Sequence, residues 1–280
     1  MTVFMSLLLG LVQGIAEFLP ISSSGHLSIL QNLLNLGYSE ESNLLFSVLL
    51  HLGTLVSIIV VYWKEIKLMV SDSLDYFRMR ADSDVDEPIT LKPPARALLF
   101  ILIGTLPLLI VLIFKSTIER LFFNVGFIGF ALIITGGLLF ASDRYIKKGN
   151  KTEKTMTLPD AIIIGLAQAV AVIPGLSRSG TTIAVGLTRG LSGSFAVRYS
   201  LLLSIPAVVG ATIVELFSAI RKGINFSLIP IYLVGAIVAA IVGFFAIQLI
   251  RRLMSKGSFG KFAYYCWGVG VLAIVLSFIL

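Results

Sequence analysis

Glu17 is followed closely by Ser22, Ser23, Ser24, Gly25 and His26, within the stretch QGIAEFLPISSSGH that runs from Gln13 to His26. A carboxylate beside hydroxyls and an imidazole can draw a proton from a serine or a water, which is what attack on an electrophile requires. Gln13 lies four residues before Glu17 and so shares its helix face. A second stretch, PGLSRSGTT, sets Arg178 among Ser177, Ser179, Gly180, Thr181 and Thr182. A guanidinium flanked by hydroxyls at the start of a helix supplies the bidentate donors and N–H groups that a phosphate accepts. One stretch therefore brings acid, hydroxyl and imidazole, and the other an anion clamp. This division of labour favours catalysis over symmetric transport.

The elements that must position these groups are membrane helices. Of 280 residues, 57% are hydrophobic and 13% charged, and the mean hydropathy is +0.97. Those values exclude an ordinary soluble domain and predict an all-α polytopic membrane protein. The formal net charge of +7 would suit an acidic partner. The basic residues, however, fall in short loops between apolar runs, which fits a membrane orientation signal and no nucleic acid. Cys266 is the single cysteine and lies in apolar sequence, so neither a disulfide framework nor a cysteine metal site is expected. The first apolar run lacks a basic start and leads into polar sequence, unlike a cleavable signal peptide.

A spanning helix needs about 20 apolar residues. Six segments meet or approach that length, at 43–63, 96–114, 125–142, 197–217, 228–250 and 262–280. Two others break midway. Residues 3–19 stop at Pro20 and the serines and resume to about 36; residues 158–173 stop at Pro174 and resume to about 191. Each reads as a re-entrant hairpin of two half-length helices around a polar elbow, and such breaks mark binding sites. The two elbows resemble each other. At an offset of 155, Gly10, Gln13, Ser22, Ser24 and Gly25 match Gly165, Gln168, Ser177, Ser179 and Gly180, while Val172 stands opposite Glu17. The chain thus reads as a single membrane domain, 1–280, built from repeats at about 1–145 and 156–280. One hairpin and three spans per half make the repeats inverted in topology. Loops 64–95, 143–157 and 251–261 carry five, five and four Lys and Arg, whereas 115–124 and 218–227 carry two each. The basic side is expected in the cytoplasm and both termini outside.

Other polar residues have plainer readings. His51, within a span, reads as a satisfied polar side chain. Glu215 could pair with Arg221, and the acid run at 82–87 reads as a solvated loop without metal-ligand spacing. Arg189 and Arg198 are expected at headgroups, and Gly126, Gly129, Gly136, Gly137, Gly235 and Gly243 at close helix contacts.

At both elbows the sequence resembles the undecaprenyl pyrophosphate phosphatase family, the integral-membrane enzymes linked to bacitracin resistance. QGIAEFLPISSSGH resembles its (E/Q)xxxE-FLP-[IV]SS[ST]GH signature, and PGLSRSGTT its PG-x-SRSG-x-T signature. The resemblance implies six spanning helices plus two re-entrant pairs in inverted repeats. It also implies removal of one phosphate from a C55 isoprenyl pyrophosphate, at a site facing outside the plasma membrane, with Mg²⁺ or Ca²⁺. Carried over by position, Glu17, Ser23, His26 and Arg178 would be catalytic, with Glu17 also a metal ligand. Gln13, Ser22, Ser24, Gly25, Ser177, Ser179, Gly180, Thr181 and Thr182 would bind substrate. Gln13 stands where the signature often has Glu; an amide is no general base and a weaker cation ligand, which places the weight on Glu17. The expected partners are the polyprenyl lipid and the surrounding membrane lipids, and the sequence leaves room for a homo-oligomer. Two chemistries stay open: attack by Ser23 through a phosphoserine, with His26 or Glu17 as base, or water directed by Glu17 or His26. The alternative from another class is a polyprenyl-phosphate or anion transporter.

Overall fold

The computed structural model describes residues 1–34, 40–82, 90–145, 148–222, 226–257 and 259–279. The acid run at 82–87 lies outside them, apart from the backbone of Asp82. The described elements are helical: α1 (Val3–Phe18), α2 (Ser23–Leu33), α3 (Glu40–Val61), α4 (Trp63–Asp82), α5 (Pro93–Thr105), α6 (Leu108–Val111), α7 (Lys115–Leu121), α8 (Val125–Ser142), α9 (Leu158–Val170), α10 (Arg178–Thr188), α11 (Gly193–Lys222), α12 (Ile229–Ser255) and α13 (Phe262–Leu276). One isolated bridge, Lys151 to Leu191, is the single piece of β pairing among the described residues.

Five stretches are long and apolar enough to cross a membrane: Pro93–Leu121, Val125–Tyr145, Gly193–Ser218, Ile229–Ser255 and Phe259–Leu276. Counting the bent pair Leu45–Val61 and Trp63–Arg80 as one span brings the number to six among the described residues. Their outward faces carry large apolar side chains such as Phe4, Ile113, Phe130 and Ile237, as contact with lipid tails demands. The protein is a multi-pass membrane protein. The span expected at 96–114 is interrupted at Pro107, whose missing N–H ends α5 two residues earlier and restarts the chain as short turns.

One expectation needs correction. The segment 64–95 reads as a loop, but α4 fills its first part and turns 76° away from α3. Its charges Lys64, Lys67, Arg78 and Arg80 alternate with exposed Trp63, Leu68, Leu74 and Phe77. Charge and apolar side chains mixed in this way hide a helix from a hydropathy scan while producing one that lies along an interface.

The two expected hairpins are present as α1–α2 and α9–α10. Thr2 caps α1, its side chain accepting from the Met5 N–H at 3.2 Å, and α1 stops one residue short of the Leu19–Pro20 pair, where proline bars helix continuation. Pro159 sits in the first turn of α9, which Thr157 and Asp160 close with a capping box. Glycine lets each hairpin approach its neighbour. A Cβ on Gly10 would stand 2.4 Å from the Gly235 carbonyl oxygen of α12, and one on Gly165 would stand 2.4 Å from the Gly104 carbonyl oxygen of α5. Between α8 and α13 the relation is mutual: Cβ atoms on Gly129 and Gly270 would come within 2.6 and 2.7 Å of each other's carbonyl oxygens. Backbone contact at small residues is how membrane helices gain dispersion energy where no hydrophobic drive exists.

Candidate active site

The serine-rich elbows are built alike. Ser22 is the N-cap of α2 and its Oγ accepts from the Gly25 N–H at 3.2 Å; Ser177 caps α10 and its Oγ accepts from the Gly180 N–H at 3.1 Å. Each cap hydroxyl also lies 3.3 Å from the next serine but one, Ser24 or Ser179. The elbows then brace each other. Ser22 Oγ donates to the Leu176 carbonyl, and Ser179 Oγ to the Leu19 carbonyl, both at 3.4 Å. Gly25 and Gly180 complete the fit, since Cβ atoms there would meet Gly175 Cα and Pro20 Cβ at 3.1 Å. Thr135 of α8 holds the second elbow, donating to the Gly175 carbonyl at 3.0 Å and accepting from the Ser177 N–H at 3.1 Å.

This bracing brings Glu17 and Arg178 together. Glu17 sits in the last turn of α1 with its side chain 6% exposed. Its Oε2 accepts from Ser23 Oγ at 2.6 Å and from Gln13 Nε2 at 3.0 Å. Its Oε1 accepts from the Arg178 guanidinium, which is 22% exposed. A buried carboxylate is costly unless paired, and these donors are its compensation. Each partner is nevertheless adverse to its own helix: an acid at the C-terminal end of α1 and a cation at the first residue of α10. An anion, not Arg178, is what the start of α10 favours, so a phosphate arriving there meets N–H groups and a guanidinium already held in place.

The predicted site residues divide accordingly. Gln13, Glu17, Ser23 and Arg178 form one hydrogen-bonded cluster. Ser22, Ser24, Gly25, Ser177, Ser179 and Gly180 form its frame. Thr182 is tied to Ser200 at 2.6 Å and to the Arg178 carbonyl at 2.9 Å, anchoring α10 on α11. Thr181 is buried with its hydroxyl unpartnered among the described residues. His26 stands apart from Ser23. Its Nδ1 must donate to the Ser22 carbonyl at 2.8 Å, so Nε2 accepts from the Tyr265 hydroxyl at 2.9 Å. Tyr265 also stacks on the imidazole with an interplanar angle of 8°.

Two residues are added to the site by the structure. Tyr265 of α13 is one. The other is His51 of α3, whose Nε2 lies 3.8 Å from Glu17 Oε2 while Nδ1 donates to the Ser47 carbonyl at 2.8 Å. With Nδ1 engaged in this way, Nε2 is the ring nitrogen that faces the carboxylate. The other secondary residues also find places. Arg189 pairs with Asp160 and Arg198 with Glu153, and Arg221 covers the Phe217 ring at 4.3 Å.

Residues 6–272 match the family described as "Bacitracin resistance protein BacA". The chain belongs to this family. It is 39% identical over 280 residues to an "Undecaprenyl-diphosphatase" of Carboxydothermus hydrogenoformans, covering 99% of this chain and 98% of that one. A protein of the same name from Halothermothrix orenii is 38% identical over 279 residues, 99% of both chains, and one from Methanosphaera stadtmanae is 39% identical over 278, 98% of both. The matched region contains both elbows.

The oxygens around Glu17 suit a hard cation. Among the described residues there is no group of three or more His, Cys, Asp or Glu side chains. Gln13 Oε1, however, is buried without a donor beside the carboxylate. One carboxylate plus neutral oxygens, completed by substrate phosphate, is a usual setting for Mg²⁺.

Proposed function

We propose that this member of the family hydrolyses undecaprenyl pyrophosphate to the monophosphate lipid carrier and inorganic phosphate. The observation that carries the reading is the shared acceptor: Glu17 takes the Ser23 hydroxyl on one oxygen and Arg178 on the other. The names borne by the relatives support it.

In this reading Glu17 removes the Ser23 proton as Oγ bonds to the terminal phosphorus, and the bond to the bridging oxygen breaks, releasing the lipid monophosphate. Glu17 passes that proton to the departing lipid monophosphate; water then attacks the phosphoserine, its proton goes to the freed carboxylate and from there to Ser23 Oγ, and inorganic phosphate leaves. The alternative, with Glu17 directing water onto phosphorus in one step, uses the same base. Of the two imidazoles, His51 faces Glu17 and provides the second proton acceptor; His26 is engaged with Tyr265 and Ser22 and steadies the start of α2. Arg178 keeps N–H groups beyond the one on Glu17 for the charge that builds on the phosphoryl oxygens. Gln13 Oε1 and Glu17 are the ligands a divalent cation, Mg²⁺ or Ca²⁺, would use, and bound there it would neutralise charge on the phosphates.

The reciprocal bracing of the elbows and the paired glycine crossings support an inverted repeat over about 1–145 and 156–280. The loop charges support a plasma-membrane orientation with both termini outside, and the family resemblance supports a site that opens outward. Purified protein in detergent should release phosphate from a polyprenyl pyrophosphate, and Glu17→Gln and Arg178→Ala should each lower the rate by roughly 10²–10⁴-fold while remaining folded. A wild type silent across cations and chain lengths would move the anion site to a carrier.

A further inference from the structure

A second concentration of phosphate-type donors lies on the basic-loop face and shares no residue with the Glu17 cluster. It is a cavity of about 640 Å³ bounded by the α3–α4 elbow, the start of α11 and the end of α12. Arg198, Arg251 and Arg252 line it together with the hydroxyl residues Thr152, Ser192 and Ser194. Two of the three arginines are held in place. Arg198 pairs with Glu153 and lies over the Phe195 ring at 5.3 Å, and Arg251 lies over the Tyr62 ring at 5.7 Å. The wall bearing Thr152 is stapled to the turn between α10 and α11: the Lys151 N–H donates to the Gly190 carbonyl, and the Ser192 N–H to the Lys151 carbonyl, both at 2.9 Å. Donors already positioned in this way lower the ordering cost of binding.

Location and charge identify the occupant. The cavity sits at the corner where α4 turns 76° from α3 and runs off with Trp63, Leu68, Leu74 and Phe77 exposed. Such a helix marks the level of lipid headgroups. Three guanidiniums face two carboxylates, Glu65 in the wall and Glu153 on Arg198. The surplus is one positive charge, which matches a phosphodiester better than a dianionic phosphate. We propose that this cavity binds the phosphodiester headgroup of an anionic phospholipid, with Arg251 and Arg252 as its principal contacts and its tails leaving along α4. Basic pockets between helices at a membrane surface are suited to such headgroups.

The full chain in detergent tests this by native mass spectrometry, titrated with short-chain phosphatidylglycerol, short-chain phosphatidylcholine and glycerol 3-phosphate. One phosphatidylglycerol per chain is expected, with Arg251→Gln/Arg252→Gln weakening it by roughly tenfold or more. Ser194→Asp, which places a negative charge on the rim without removing an arginine, should weaken it as well. The charge control Arg144→Gln/Lys148→Gln, on the same basic face but outside the cavity, should leave it unchanged. Equal loss in that control would reduce the effect to general surface charge and overturn the site. So would equal binding of phosphatidylcholine, or no loss in either cavity variant. Glycerol 3-phosphate binding as tightly as the lipid would overturn the lipid and leave a soluble phosphate ester as the ligand.

Discussion

Ser22 and Ser177 occupy matching places and make matching bonds, yet Ser22 does so at φ 70° and Ser177 at φ −78°. The reason lies two residues upstream. In the second elbow Gly175 takes φ +92° and absorbs the reversal of the chain. Its counterpart at the same offset is Pro20, whose ring locks φ near −65°. The bend in the first elbow is therefore displaced onto Ser22, the one described non-glycine residue with positive φ. Backbone held in this way costs on the order of 1–3 kcal/mol and persists only where surroundings enforce it. Here the enforcing bonds are the one Ser22 donates to the Leu176 carbonyl and the one it accepts from the Gly25 N–H, and the residue after the strained one is Ser23. The functional groups diverge along with the backbone: Glu17 against Val172, Ser23 against Arg178. The brace is common to both elbows while the clustered groups are divided between them, so that neither elbow holds the whole cluster.

The sharpest way to break this comparison is to treat the serines alike. Ser23→Ala should reduce phosphate release by roughly 10²-fold or more, as loss of an activated nucleophile does. Ser24→Ala and Ser179→Ala, which follow Ser23 and Arg178 in the two elbows, should each cost less than roughly tenfold by the same measure. A Ser23→Ala enzyme with full activity would eliminate the phosphoserine route and leave the carboxylate directing water. Trapping phosphate on Ser23 from wild type would establish that route.

The frame, by contrast, should respond symmetrically. Gly10→Ala and Gly165→Ala place a methyl 2.4 Å from a carbonyl oxygen of the opposing helix. Each should lower stability by about 1–3 kcal/mol, the usual cost of overpacking. Thermal unfolding in one detergent would compare them; a large loss at one and none at the other would contradict the paired crossing. Gly175→Ala should lose at least as much, because its Cβ meets the Ile128 carbonyl oxygen at 2.5 Å and its φ excludes other residues.

Both elbows could be read from sequence because proline, glycine and serine act locally, and because a broken apolar run has few other meanings. Glu17 and Arg178 stood out since charge in apolar text demands a partner. What could not be read was reach across the fold. His51 belongs to a helix whose sequence holds no sign of Glu17, and Tyr265 comes from the far end of the chain; only packing brings them to the elbows. The helix α4 was hidden by its own charges, and with it the corner that shapes the basic cavity. Ser22 and Ser177, expected at substrate from the family resemblance, use their buried hydroxyls in capping, a role that only the helix starts reveal.

The smallest contrast concerns how the hairpins are anchored. α1 begins with one hydroxyl cap, from Thr2. The first turn of α9 carries Asp160, outside the spanning segments, which receives Lys151 at 2.8 Å, Arg189 at 2.9 Å, and both the Thr157 hydroxyl and N–H at 2.8 and 3.0 Å. Burial alone would raise the pKa of this carboxyl; these donors outweigh it and hold it at about 2. A group depressed from an ordinary value near 4 stabilises fully above that value and loses its contribution as pH falls towards 2. Asp160→Asn should therefore be less stable than wild type at neutral pH, and the gap should close between about pH 4 and pH 2. Unfolding temperatures of the two proteins across that range would show it. The matching change at the other hairpin, Thr2→Ala, removes no charge and should give a small difference that does not vary with pH. A constant gap for Asp160→Asn would mean that the carboxylate acts through packing alone, and the second hairpin would then be anchored no more firmly than the first.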